Sequence, residues 1–516
     1  MTYSPKLGST VSNTKMRTPD NISHFSGMCA VCTASCTGMC EIGLSALRGR
    51  EATYPYQPDR NQFASEKDYP TDFSHLNING RVFGAKGCKE DPYEATFPKA
   101  SVETTIGKIH PIKLKMPIVL PAIAKLNWKD YFGGAALAGV LAVIGEDVVA
   151  KDDNVVIEDG KVIDSPLIKE MVEAFRLYYR GYGDIMLQGN FDDENLGVLD
   201  YAIQELGVES VELKFGQAAK GIQGMSIVKS LDKALAYKKM GYLVYPDPEA
   251  EEIAKLYKDG KGPHFEKIGK LPIWNEDFLV NRVRELRNLG AKRVCFKTGP
   301  FAPNDLAMIL KIASKAGVDM VTFDGAGGGS GNSPVKMMNE WGIPTIIMES
   351  LLYKILQSME AKGYDLPKVA VAGGIAMEDQ VYKALALGAP YISMVGIGRA
   401  AMTASMVGKR IEELLSEGIV PKEFQMYGNT KAELFADIRK LKLYYENPET
   451  ISGGAIGLYS YLDRIKVGIQ QFMALNRKFT LEHISRQDVV PLTAAAKKVT
   501  GLKDYLELTE QCLKTL

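Results

Sequence analysis

Long apolar runs are missing from this 516-residue chain: none reaches the roughly 18 residues that a bilayer crossing needs. That excludes a membrane-spanning helix. Net charge is missing too, since Lys+Arg and Asp+Glu both total 62. Without an excess of either sign there is no electrostatic footing for a nucleic-acid or anionic-membrane partner. The first twenty residues, MTYSPKLGSTVSNTKMRTPD, lack the apolar core of a secretory signal, so a cytoplasmic location is expected. No G-x-G-x-x-G opens a helix after a strand, which argues against direct use of a nicotinamide dinucleotide. No internal repeat and no low-complexity segment stands out.

Cysteine is scarce, with seven in the whole chain. An odd number in so long a chain is no disulfide framework and fits a reducing compartment. Four of the seven nevertheless crowd into MCAVCTASCTGMCE, as Cys29, Cys32, Cys36 and Cys40. Thiolates this close capture a soft metal. Structural zinc usually takes two separated cysteine pairs, whereas one continuous loop with small spacers suits a cuboidal iron–sulfur centre. The spacing C-x2-C-x3-C-x3-C therefore predicts a [4Fe–4S] cluster, with structural zinc as the rival. A cluster passes electrons singly, so a redox partner is expected downstream.

What the chain has in abundance is short apolar runs that end in turn residues. They are PIVLPA (117–122), VLAVIG (140–145), DIMLQG (184–189), SVELKFG (210–216), RVCFKTG (293–299), MVTFDG (320–325), VAVAGG (369–374) and YISMVG (391–396). Between several lie helical patterns such as NDLAMILKIASKAG (304–317) and EDQVYKALALGA (378–389). Eight such strands alternating with helices predict an α/β fold of the (β/α)8 TIM-barrel type, with an open doubly wound sheet as the alternative. The expected division is an N-terminal extension over 1–100, a barrel over 101–420 and a C-terminal helical extension over 421–516. VVIEDGKVID within 146–183 reads as a hairpin turning at Asp159-Gly160. Residues 229–282 are too long for a plain connection and read as a lid or partner-facing excursion.

Barrels place their chemistry at the C-terminal strand ends, and phosphates after strands seven and eight. There the sequence has Gly373, Gly374, Gly396 and Gly398, followed by Arg399. Glycine lets the backbone approach an anion, so a phosphate-bearing cofactor is expected, against ordinary tight turns as the plain alternative. FDGAGGGSGNSP after strand six suits a loop lying against a planar ligand or cradling an anion, or else a flexible lid. Strand four carries Lys214 near its end with Lys220 just beyond it, and Lys297 lies near the end of strand five. An inward lysine needs a negative partner, which a reduced flavin provides; the alternative is a lysine that snorkels to solvent.

Taken in order, ELKFGQAAKGIQGM, FDGAGGGSGNSP, AVAGGIAMEDQVYKALALGA, VGIGRAAM and the tail GLYSYLDRIKVGIQQFMALNRKFTLEHI resemble the FMN-binding barrel of glutamate synthases over roughly residues 100 to 500. The resemblance implies FMN with its phosphate on Gly373, Gly374, Gly396 and Gly398. It puts Lys297 and the loop of Gly327, Gly328 and Gly329 along the ring, with Gln188 beneath it. Lys214, Gln217, Lys220 and Gln223 would face flavin or substrate. The implied reaction is hydride transfer between FMN and an imino or amino acid, 2-iminoglutarate first. Electrons would enter from a ferredoxin or a separate reductase subunit, and homo-oligomerisation stays open. Two rival functions are a transferase forming an N-substituted amino acid and an electron-relay subunit.

Three departures accompany the resemblance. The glutaminase domain is missing. The family's cluster cysteines after the phosphate end are replaced by GRAAMTASMVGKR. The family's Ser-Gly-His-Asp before the glycine run is Asp324-Gly325-Ala326-Gly327. The N-terminal cysteines would then serve as the electron port.

Overall fold

A computed structural model of the chain describes residues 46–54, 56–57, 60–61, 69–123, 126–216, 222, 224–326 and 333–516. Its centre is a closed barrel of eight parallel strands, each built on one of the eight apolar runs. They are β1 (Ile118–Ile123), β2 (Leu141–Ile144), β3 (Asp184–Gly189), β4 (Ser210–Lys214), β5 (Arg293–Thr298), β6 (Met320–Asp324), β7 (Lys368–Ala372) and β8 (Ile392–Gly396). Neighbours pair in chain order and β8 closes on β1, through Val395↔Ile118 and Gly396↔Val119. The sheet therefore has no open edge, and the doubly wound alternative is excluded.

Strand side chains alternate between the lumen and the helical shell. The lumen cluster holds Val119, Leu141, Val143, Met186, Cys295, Met320, Ala370 and Met394. It is completed by Ile106 and Leu114 from a short hairpin, Thr104–Ile106 with Ile112–Leu114. This hairpin hydrogen-bonds to chain just ahead of the strands: Lys108 N donates to Asp319 Oδ1 at 2.8 Å, and Gly183 N to Lys113 O at 2.8 Å. It plugs the N-terminal end, so only the C-terminal mouth is left for ligands.

The segments flanking the barrel meet each other. Leu76–Ile78 pairs antiparallel with Val489–Pro491. Helix Gly453–Leu475 lies against helices Trp128–Ala138 and Arg399–Ser416, at a distance only glycine allows. A Cβ at Gly408 would sit 2.1 Å from Gly453 O, and one at Gly134 would sit 2.8 Å from Ala455 O. Among the described residues no helix is long and apolar enough to cross a membrane.

The hairpin within 146–183 is present as Val156–Glu158 and Lys161–Asp164, with Asp159 and Gly160 both at positive φ (48° and 73°), as a two-residue hairpin turn requires. The excursion after β4 is a small antiparallel sheet, Gly224–Val228, Phe265–Ile268 and Leu243–Tyr245 with Phe265–Ile268 central, carrying helices Leu231–Lys239 and Glu251–Lys258. It ends earlier than residue 282, because Glu276–Leu289 is already a helix of the barrel shell, capped by the Asn275 side chain. Buried Lys267 pins the sheet to the barrel. Its Nζ lies 3.2 Å from Asp147 Oδ1 and 4.1 Å from the centre of the Tyr242 ring.

Helix Thr345–Ala361 hides an acid in the shell. Glu349 is 0% exposed, neither carboxyl oxygen has a hydrogen-bond partner among the described residues, and burial pushes its pKa well up against the pull of Arg486. A carboxyl raised in the folded state binds its proton more tightly there than in the unfolded chain. Its stabilising contribution is complete below the ordinary carboxylate range and is lost as pH rises through the folded value. Urea midpoints of the wild type should therefore fall between about pH 5 and pH 8 more steeply than those of Glu349→Gln. The excess slope is at most about 1.4 kcal/mol per pH unit, the limit for one proton. Parallel profiles would show that Glu349 is not the group titrating.

Candidate active site

The lumen changes character at its mouth. One layer above Met186 and Cys295, the inward positions of β3 to β6 become polar: Gln188 on β3, Glu212 and Lys214 on β4, Lys297 on β5, Thr322 and Asp324 on β6. The facing wall stays small, with Ala370 and Ala372 on β7 and Gly396 on β8. Ala372 and Gly396 sit so close in register that a Cβ at Gly396 would lie 2.6 Å from the Cβ of Ala372. A polar wall facing a wall of minimal side chains leaves room for a flat ligand between them.

The polar wall is a connected network. Lys297, only 4% exposed, places Nζ 3.1 Å from Asp324 Oδ2. Burial alone would lower its pKa, but Asp324 and then Glu212 outweigh that, so the ammonium is held above its ordinary value and stays charged. Lys214 Nζ donates to Glu146 Oε1 at 2.5 Å, just past the end of β2. Glu212, 1% exposed, accepts a hydrogen bond from Gln188 Nε2. Burial raises its pKa, opposed chiefly by Lys297. Two buried acceptors are left without a donor among the described residues, Gln188 Oε1 and Thr322 Oγ1. Buried polar atoms are seldom orphaned, and these two lie in the mouth, where a ligand could supply the missing partner.

At the opposite edge the loops after β7 and β8 leave neighbouring strands at the same level, Ala372↔Gly396. Gly373 and Gly374 both have positive φ (122° and 76°). A Cβ at Gly373 would press to 2.6 Å from Thr345 Oγ1, which itself donates to Gly373 O at 2.8 Å. A Cβ at Gly374 would meet nothing within 4 Å, so that turn faces open space. The two following helices differ as anion sites. Helix Glu378–Gly388 fills its own first turn: Glu378 and Asp379 are acidic, and Gln380 Oε1 accepts from Ala376 N and Met377 N at 2.8 and 3.1 Å. Helix Arg399–Ser416 follows Gly398 with no acid in its first turn, and exposed Arg399 opens it. An anion resting on Gly374 and Gly398 meets the positive end of the second helix.

The structure thus brings Gln188, Lys214 and Lys297 together on three adjacent strands. It gathers Gly373, Gly374, Gly396, Gly398 and Arg399 at the opposite edge. Gln217, Lys220, Gln223, the Gly327–Gly329 loop and the four clustered cysteines lie outside the described residues. Among the described residues no cluster of His, Cys, Asp or Glu could hold a metal ion. Sequence reasoning missed four members of the site: Glu212, Glu146, Thr322, and Asp324 as the partner of Lys297. Glu212 was available from alternation, since it stands two residues before Lys214 on the same strand face.

Residues 270–409, which run from ahead of β5 to past β8, match the conserved region in glutamate synthase. An archaeal-type glutamate synthase [NADPH] of Dehalococcoides mccartyi is 29% identical over 196 residues, 38% of this chain and 35% of that protein. A glutamate synthase large subunit-like protein of Rhizobium meliloti is 27% identical over 221 residues, 42% of this chain and 47% of that one. The chain spans about half or less of the length of these curated relatives. Among solved structures, the flavin-binding domain of baker's yeast flavocytochrome b2 superposes with a TM-score of 0.46 at 13% identity, covering 85% of this chain and 81% of that one. A mandelate oxidase mutant with the monooxide FMN adduct gives 0.42 at 14% identity, with 80% and 87% covered.

Proposed function

We propose that this chain, whose residues 270–409 match the conserved region in glutamate synthase, is an FMN- and iron–sulfur-dependent oxidoreductase acting on an imino or amino acid. The observation that carries the reading is the position of the matched stretch. It contains Lys297 on the polar wall and both glycine turns on the opposite edge, so it frames the barrel mouth from two sides. FMN fits the residues present. The turn at Gly374 and the helix opening after Gly398 would offer its phosphate an anion cradle, and the orphaned Gln188 Oε1 would be available to a ring N–H. When bound, FMN supplies hydride to, or takes it from, the carbon that carries the nitrogen.

The chain's own residues do the rest. Lys297 keeps a fixed positive charge beside the ring site, where negative charge accumulates on reduction. Gln188, held by Glu212, orients the ring. Lys214, steadied by Glu146, points a second ammonium at the mouth for a substrate carboxylate. Cys29, Cys32, Cys36 and Cys40 hold a [4Fe–4S] cluster that receives electrons from a ferredoxin or a separate reductase subunit. The first candidate reaction is reduction of 2-iminoglutarate to glutamate.

The test is anaerobic purification, identification of the flavin released on denaturation, and a screen of keto acids with ammonia against the dithionite-reduced protein. FMN release and keto-acid-dependent reoxidation of the flavin are expected. Flavin reoxidation by no keto acid would move the function to the N-substituting transferase or the electron relay. Gly374→Asp should abolish flavin binding by placing a carboxylate where the phosphate rests. Since a Cβ there meets nothing, the fold should survive with only the strain of an L-residue at positive φ, about 1–2 kcal/mol. Full flavin occupancy in that variant would move the phosphate elsewhere.

A further inference from the structure

Three carboxyl groups and two ammonium groups share the polar wall: Glu146, Glu212 and Asp324 against Lys214 and Lys297. Each ammonium has a carboxylate of its own, Glu146 for Lys214 at 2.5 Å and Asp324 for Lys297 at 3.1 Å. Glu212 is the third acid, held by the amide of Gln188 and by no ion pair of its own among the described contacts. The groups that face it come from every strand around it. Gln188 stands on β3, Lys214 on its own strand, Lys297 and, one layer lower, Cys295 on β5, and Asp324 on β6. Counted over the described residues, the wall with all three acids ionised carries one surplus negative charge, inside a lumen closed below by the hairpin plug.

We propose that Glu212 is the charge-compensating group of this site: it takes one proton from solvent when the bound ligand gains negative charge, and returns it when that charge leaves. The inference rests on the reading of the mouth as a flavin site and adds the residue that balances the flavin's charge. Two electrons delivered there with one proton leave one negative charge, beside a wall already in surplus. A second proton on Glu212 restores the balance: its carboxylate becomes a carboxylic acid, no other bond breaks, and the reductant supplies both electrons. Glu212 is the acid that gives up its charge most cheaply, being the most deeply buried of the three and lacking a cation of its own. Burial already favours its protonated form. The neighbouring amide accommodates both states. An ionised Glu212 accepts from Gln188 Nε2; a protonated one offers its hydroxyl to Oε1 after a half-turn of the amide, which then presents Nε2 to the ligand in place of Oε1.

The experiment is a pH series of flavin midpoint potentials on the full-length protein and on Glu212→Gln, by equilibration with redox dyes between about pH 6 and pH 9. Where Glu212 titrates, the wild type should take up two protons per two electrons and the variant one, so the variant's slope is half. Equal slopes with flavin bound in both overturn the inference and leave the flavin reading standing. A protein that binds no FMN removes that reading and this inference together. Should Glu212→Gln fail to fold, the infrared difference spectrum of the wild type on reduction decides. A new protonated-carboxyl band supports the proposal, and its absence overturns it. A merely structural role for Glu212 would change neither slope nor band.

Discussion

Cys36→Ser protein, prepared without oxygen, is expected to keep its flavin and to lose the broad visible absorption of an iron–sulfur cluster, together with nearly all turnover driven by an external one-electron carrier. The wild type should contain about four irons and four acid-labile sulfides per chain, the content of a cuboid held by four thiolates. Removing one thiolate leaves one iron with a poor ligand, since a serine hydroxyl is far less acidic than a thiol and stays protonated. Cys295 faces the barrel lumen, where burial pushes its thiol well above the ordinary range and away from the thiolate that a metal requires. If the cysteines hold a cluster that only delivers electrons, reoxidation of chemically reduced flavin by the acceptor should be nearly unchanged in Cys36→Ser, since such a cluster takes no part in hydride transfer. Zinc without sulfide in the wild type would end the electron-port reading of the N-terminal cysteines. Slow half-reaction and slow turnover together would mean that the cluster loop shapes the active site.

The eight barrel strands were legible because each is an apolar run bounded by turn residues, and a fully buried parallel strand leaves just that trace. PIVLPA and VAVAGG announce β1 and β7 with boundaries shifted by only one or two residues. The hairpin that plugs the barrel floor was not legible. Its strands are three residues each, and Thr104 and Lys113 look like loop residues until the lumen above them is known. The small sheet after β4 escaped for a related reason: Ile227, Leu243 and Tyr245 stand 45%, 48% and 57% exposed, so burial stamps no clear pattern on it.

At the site, residue type and strand end were enough to single out Lys214, Lys297 and the glycine turns. What joins them was hidden. Glu212 meets Gln188, and Asp324 meets Lys297, across strand pairs whose register depends on how the barrel closes. Alternation along one strand gives the face of a residue, never the level of its neighbour. Asp324 was visible only as a departure from the glutamate synthase pattern, and the structure gives that departure a physical role as the counter-ion of Lys297.

That role sharpens the second large prediction. Lys297→Met should lower the flavin's reduction potential and slow substrate reduction by roughly ten- to a thousand-fold. This is the kinetic equivalent of about 1.5–4 kcal/mol for losing one well-placed charged donor. The same substitution leaves Asp324 buried without its ammonium and Glu212 without its main attractive neighbour. Breaking a buried pair from one side costs about 3–5 kcal/mol of stability, so a fall in activity alone would prove nothing about chemistry. The double variant Lys297→Met/Asp324→Asn separates the two effects. It removes the stranded charge, and its urea midpoint should return most of the way to the wild-type value. If the ammonium acts on the reduced ring, potential and rate stay low in the double variant although the fold has recovered. If both recover with stability, Lys297 serves only to neutralise Asp324, and the charge beside the ring must come from Lys214 or Lys220. If the phosphate rests on the far edge of the mouth at Gly374 and Gly398, FMN affinity of the oxidised protein should change much less than the potential in either variant.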